Sequence, residues 1–188
     1  LQDVGVMAMY KALGADYAAA LKATEGDHRR LVRIELERFE LQHPDVGALL
    51  AQRWKLPEQL VMPVKYHERP TAAPIEGEEI VQCVAVGNLV HDVLTDADPA
   101  PAMRRLYERC DQWFGLTGER VDALVRRSAE ATRQMSSLFR LDTGAFADAD
   151  EVLQRARAQA DRLVQTPAAP QAGRVESLLI DSARTDPM

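Results

Sequence analysis

The chain has 188 residues, a formal net charge of −6, 46% apolar and 28% charged residues. That length suits one compact domain or one domain with an appendage, and the apolar share is enough for a core, so uniform disorder and collagen-like structure are excluded. The acidic balance argues against non-specific binding to nucleic acid, whose phosphates reward net positive charge; Arg29-Arg30 and Arg104-Arg105 read as solvated helix faces. No run of 18 or more apolar residues occurs, so no transmembrane helix is predicted. No basic segment leads into an apolar stretch at the start, so no signal peptide is expected either. The chain opens on Leu1 rather than Met, which fits a fragment of a longer protein. Cys83 and Cys110 lie outside any CxxC pair and read as two reduced, mostly buried thiols rather than a disulfide or a zinc site.

The pattern predicts an all-α fold, because alternating strand patterns are absent and Ala, Leu, Glu and Arg dominate. A first helix is expected over 4–22 and a second over 27–39, with Leu31, Ile34, Leu36 and Phe39 on its apolar stripe. Pro44 suits a first helical position and Asp45 the positive helix end. Val46, Leu49, Leu50 and Trp54 follow at helical spacing, and Gly47 leaves room for a close helix approach. A helix opened by Pro57-Glu58 should kink or stop near Met62, ahead of Pro63.

Residues 67–76 read as a loop. A strongly apolar helix over 77–94, carrying Ile80, Val81, Val84, Val86, Leu89 and Val90, is expected at the centre of the core. A helix over 102–113 presents Met103, Leu106, Tyr107 and Cys110, and Thr117 caps a long helix bearing Val121, Leu124, Val125, Met135 and Leu138. Residues 142–150 read as a linker. The helix over 150–165 carries a narrow seam of Val152, Ala156, Ala160 and Leu163, which fits either a partner helix in a homodimer or packing back on the body. Residues 166–173 form a connector ahead of a short amphipathic segment with Val175, Leu178 and Leu179.

Four histidines occur, His28, His43, His67 and His91, and the candidate ligands are Asp3, His43, His67 and a residue on the helix around position 88. Metal hydrolases gather several His and Asp side chains on one cation, which activates water and orients phosphate. Taken singly, His43 could cap a helix start and His67 could satisfy a helix C-terminus, while His28 lies in a polar stretch and His91 packs or faces water.

Three blocks carry a resemblance: His43-Pro44-Asp45-Val46-Gly47-Ala48-Leu49-Leu50, Arg53-Trp54-Lys55-Leu56-Pro57-Glu58 and Tyr66-His67-Glu68. Together they resemble the HDOD domain, the "HD-related output domain" of bacterial signalling proteins. That family is an all-helical relative of the HD and HD-GYP metal-dependent phosphohydrolases. Leu1-Gln2-Asp3-Val4-Gly5 is similar to the Leu-His-Asp-Ile-Gly block of the superfamily, and Gly87-Asn88-Leu89 to the helix that carries a later metal-binding Asp. The resemblance covers about residues 1–140 and implies an HD-superfamily-like helical bundle without its N-terminal helices. It also implies lost ligands, since Gln2 replaces the His of the HD pair, Tyr66 the first His of His-His-Glu, and Asn88 the later Asp.

The chain's last residues, Asp186-Pro187-Met188, resemble the opening of a GGDEF domain. The expected organisation is therefore an HDOD-like domain over 1–141, a linker with connector helix over 142–173, and the start of a GGDEF-like domain over 174–188. The resemblances imply a non-catalytic, cytoplasmic regulatory domain, with no cofactor and no bound metal, answering a small-molecule or protein signal and controlling a cyclic di-GMP output in cis. Gln2, Asp3, His43, Tyr66, His67 and Asn88 would line a vestigial cleft. The alternative is a divergent HD phosphohydrolase using Asp3, His43 and His67.

Overall fold

The structure, a computed structural model, describes residues 1–140 and 148–165, with side chains to residue 159. Among the described residues there are nine α-helices, two short 3₁₀ turns and no strand, so the fold is all-α as the composition predicts. The helices are α1 (Val4–Leu13), α2 (Ala15–Lys22), α3 (Leu31–Phe39), α4 (His43–Arg53), α5 (Glu58–Tyr66), α6 (Ile75–Thr95), α7 (Ala100–Phe114), α8 (Gly118–Phe139) and α9 (Ala149–Gln165). The 3₁₀ turns are His28–Arg30 and Pro70–Ala72. No helix among the described residues is long and apolar enough to cross a membrane.

Several boundaries differ from expectation for local reasons. The helix expected over 4–22 is two helices, because Gly14 takes φ +56° and ψ −120° and breaks the ladder at one residue. Glycine reaches that conformation without a Cβ clash, and the break leaves the spacing of apolar residues almost unchanged. The start expected at Asp27 is a 3₁₀ turn, set by the Asp27 carboxylate accepting from the Arg29 N–H. No stop occurs at Met62: α5 runs through Pro63 to Tyr66. Pro63 is the sixth residue of that helix, so its missing N–H removes one ladder bond, while the first turn lacks intrahelical partners anyway.

Two packing regions share α6. The larger core is built from α6, α7, α8 and α9, with Val90, Val93, Leu106, Cys110, Val121, Val125, Val152 and Leu153 among its buried members. Ile80 lies off this core, 37% exposed. Met135 and Leu138 of the expected α8 stripe also stand exposed, because α8 runs beyond its last buried residue, Ala129. Cys83 is exposed and Cys110 buried, so the expectation of two buried thiols holds for one of them.

The first part of the α9 seam packs back on the body, where Val152 and Ala156 are buried in the same core. Polar contacts brace it there: Tyr107 donates to Asp122, Arg157 pairs with the other Asp122 oxygen, and Arg126 meets Asp150 at 2.6 Å. Burial and the Asp122 contact push the Tyr107 hydroxyl up to about 12. The seam's Ala160 and Leu163 lie beyond the described side chains. The rest of the expected linker, the connector over 166–173, the segment with Val175, Leu178 and Leu179, and the GGDEF-like opening lie outside the described residues.

The smaller region joins α1 to α5, with Ala48, Ala51 and Val61 buried under Leu56. Leu49 and Trp54, which follow at helical spacing, are 66% and 53% exposed; the inward face of α4 is the small-residue side with Gly47, Ala48 and Ala51. Small residues are needed because α1 crosses α4 backbone against backbone. A Cβ on Gly5 would collide with the His43 carbonyl, and one on Gly47 would stand 2.9 Å from Val64 Cγ1 and 3.2 Å from the Gly5 nitrogen.

Gly5→Ala should therefore destabilise by about 3 kcal/mol or more, since the obstacle is backbone. Gly87→Ala, at an exposed helical site with nothing within 4 Å of the added Cβ, should stabilise by about 0.5–1 kcal/mol. Urea denaturation of the two variants checks the pair of signs.

Candidate functional site

The α1–α4 crossing brings three helix ends together. Asp3 is the residue ahead of α1, yet its side chain makes no capping bond to that helix and is left for cross-helix contacts. His43 is the first residue of α4, and His67 follows the last residue of α5. His43 Nε2 lies 3.3 Å from His67 Nε2. Asp3 Oδ1 lies 3.4 Å from His67 Nε2 and 3.8 Å from His43 Nε2. Both imidazoles are buried, and Asp3 opens to solvent.

The partners behind the rings fix their tautomers. His43 Nδ1 lies 2.8 Å from Glu35 Oε2, which also accepts from the His43 backbone N–H at 2.9 Å. Tyr17 donates its hydroxyl proton to the other Glu35 oxygen. Glu35 is fully buried, and these donors satisfy it. His67 Nδ1 lies 2.9 Å from the Val64 carbonyl. Each Nδ1 faces an acceptor and so carries the hydrogen, which turns each Nε2 lone pair inward in the neutral ring. Two nitrogen lone pairs and a carboxylate oxygen then converge on one point. Such a centre is satisfied by a hydrogen-bond donor or a positive charge: a water, a proton held between the groups, or a cation.

The electrostatics favour positive charge there. The His67 hydrogen bond holds the Asp3 carboxyl below its ordinary value against the opposing effect of burial. Burial pushes His67 down, but the Asp3 hydrogen bond, the charges of Glu68 and Asp3 and the Val64 carbonyl outweigh it, so the net shift is upward. Burial, reinforced by Glu35, holds the Tyr17 hydroxyl far above its ordinary value, so it stays a donor.

The three donors also have a spacing that fits a metal ion. With metal–nitrogen bonds of about 2.0–2.1 Å, tetrahedral ligands stand about 3.3–3.4 Å apart, close to the two shorter separations observed here. Asp3, His43 and His67 form the one such cluster among the described residues. The Glu35 and Val64 contacts are the kind of outer partners that orient metal-bound imidazoles.

Of the other expected site residues, Gln2 and Asn88 join the site and Tyr66 does not. Gln2 Nε2 donates to Asn88 Oδ1 at 2.8 Å, tying the chain ahead of α1 to the middle of α6, and lies 3.3 Å from Asp3 Oδ2. The Tyr66 ring instead carries Lys65 Nζ, 5.3 Å from its centroid. Consecutive helical residues point about 100° apart, so the Tyr66 side chain departs from the direction taken by its neighbour His67. Gln2, Asp3, His43 and Asn88 line a cleft of about 640 Å³ together with His28 and His91, whereas His67 lines a smaller recess beside it. Sequence reasoning missed Glu35 and Tyr17. The signal for Glu35 was a carboxylate one residue after Ile34 and four after Leu31, on the buried face of α3.

The model of the HDOD domain matches residues 1–70, a stretch that holds Asp3, His43 and His67 and ends before Asn88. An uncharacterized protein of Treponema pallidum (strain Nichols) is 33% identical over 60 residues, which are 32% of this chain and 12% of that protein. No solved structure matches the chain.

Two outcomes follow from the network. Glu35→Leu leaves Tyr17 and His43 without their acceptor and should cost about 3 kcal/mol or more in urea denaturation. Stability should also depend on pH at both ends. His67, raised on folding, contributes fully below its ordinary 6.5 and loses that contribution as pH rises through its folded value. Asp3, lowered on folding, contributes above its ordinary 3.8 and loses it as pH falls through its folded value. Thermal melts across pH should give a plateau between about pH 4 and 6.5, and because Asp3 and His67 shift each other, Asp3→Asn and His67→Gln should each flatten both limbs.

Proposed function

We propose that this chain is a non-catalytic regulatory domain of a bacterial, cytoplasmic signalling protein. The observation that carries the reading is the Gln2–Asn88 amide bridge. In the HD superfamily, which the chain resembles, these two positions are a His and an Asp that hold metal. Here both are neutral amides, poor ligands for a hard cation, and they are bonded to each other. The HDOD match over residues 1–70 supports a signalling association. In this reading the Asp3–His43–His67 centre holds a proton and works as a structural clasp.

The output in this reading is a GGDEF-like domain following Met188, which would place the chain upstream of cyclic di-GMP synthesis. A signal in the cleft would reach it by shifting α6 against α7 and α8, and so α9, whose Arg157 is tied to Asp122. Homodimerisation belongs in this picture to the part of α9 after Gln159, because Val152 and Ala156 are already covered by the body.

The spacing of Asp3, His43 and His67 favours one second reading, a divergent phosphohydrolase with a three-ligand metal. Incubation of the chain with Mn²⁺ or Fe²⁺ and phosphodiester substrates separates the two. The regulatory reading expects no turnover above that of His43→Ala, and substoichiometric metal by elemental analysis of the purified chain. Metal-dependent turnover abolished by His43→Ala would overturn it. The double variant Gln2→His, Asn88→Asp should bind Mn²⁺ at least about tenfold more tightly than the parent in calorimetry.

A further inference from the structure

Among the described residues, one buried side-chain polar atom lacks a hydrogen-bond partner: Nη2 of Arg105. Its neighbour Arg104 points to solvent, with a side chain 78% exposed. Arg105 instead turns inward from α7 toward α6, against the reading of Arg104-Arg105 as a solvated pair, and lines a recess of about 160 Å³. Arg109, one turn further along α7, and Arg29 of the 3₁₀ turn line the same recess.

These two arginines are already braced. Arg109 sits over the Trp113 ring, 5.1 Å from its centroid, and Nη1 donates to Gln112 Oε1 at 2.8 Å. Arg29 is held by Asp27 at 2.6 and 3.1 Å. Three arginines therefore line one small space, two with their guanidinium groups held by partners and the third with an unused donor. A buried guanidinium donor left unpaired is costly, and its best partner is a planar or tetrahedral oxyanion that accepts several N–H bonds at once.

From this we infer that the recess between α6 and α7 is a binding site for a phosphoryl group, with Arg105 as its principal donor. The volume is about five water volumes, the scale of one tetrahedral oxyanion rather than a nucleotide. The recess shares His28, Glu68 and Asn88 with the larger cleft, so the organic part of a phosphomonoester would have room there. Glu68 and Asp92 are the carboxylates in the lining, and no hydrogen bond joins either to Arg105. Asp92 is a carboxylate that an anion would meet in the recess, and its removal serves as the internal control. The recess borders the Asp3–His43–His67 centre through His67, but its three arginines are not part of that centre, and the inference stands whether or not the chain is a regulatory domain.

The test uses the chain in a Trp54→Phe background, in which Trp113 of the recess is the remaining tryptophan. Inorganic phosphate is titrated at ionic strength held constant with chloride, and Trp113 fluorescence is read. A saturable change in the millimolar range or tighter is expected. Arg105→Gln should weaken it about tenfold or more, and Asp92→Asn should strengthen it by removing the opposing carboxylate. A phosphomonoester binding more tightly than inorganic phosphate would identify an organic ligand reaching the cleft; equal affinity would assign the free anion. Lack of a saturable response in the parent overturns the inference, as does unchanged affinity in a folded Arg105→Gln. Should Arg105→Gln fail to fold, the Asp92→Asn arm decides, and unchanged or weaker phosphate binding there overturns the inference.

Discussion

The crossing of α1 on α4 at Gly5 and Gly47 is a contact of backbone on backbone, and the candidate site is built around it. Asp3 stands two residues before Gly5, and His43 four residues before Gly47. The distance at which the helices cross therefore sets the distance between the carboxylate and the first imidazole. A single methyl at Gly5 would meet the His43 carbonyl itself, the backbone of the residue that carries the ring. Packing and chemistry are joined here: the atoms that close the helix interface belong to the residues that form the centre.

The second constraint comes from behind. Tyr17, Glu35 and His43 form a chain of hydrogen bonds running from α2 through α3 to α4, entirely in the interior. It leaves one answer to the direction of His43 Nε2, because the carboxylate claims the Nδ1 hydrogen. The Val64 carbonyl does the same for His67. The result is a pocket of acceptors whose demand for a donor or a positive charge is independent of catalysis. A proton meets that demand with the residues present. A metal would meet it too, but the amides at Gln2 and Asn88 are already occupied with each other. The proposed reading of a clasp between helix ends rests on that difference.

Much of this was legible in the amino-acid order. The helix start at Pro44-Asp45, which lies one residue earlier at His43, the central apolar helix and the α7 face with Met103, Leu106 and Cys110 are local patterns that the structure reproduces. Asp3, His43 and His67 were marked by their chemistry and their place in recognisable blocks, and Gln2 and Asn88 by departures from those blocks. Tyr66 was misplaced because adjacency in sequence is not adjacency on a helix. Met135 and Leu138 were misread because a helical stripe predicts a face without saying how far along the helix its cover extends.

What the sequence by itself determined is most of the helices, the small residues that permit their close crossing and the identity of the polar groups at their ends. Those properties depend on propensity, periodicity and side-chain chemistry, which act over a few residues. The tertiary structure alone decided which polar groups meet. Glu35 on α3 became the partner of His43 on α4, Gln2 found Asn88 across 86 positions, and Arg105 turned away from its exposed neighbour into a recess. Each is a choice between water and a distant side chain, and it is settled by the burial that helix packing imposes.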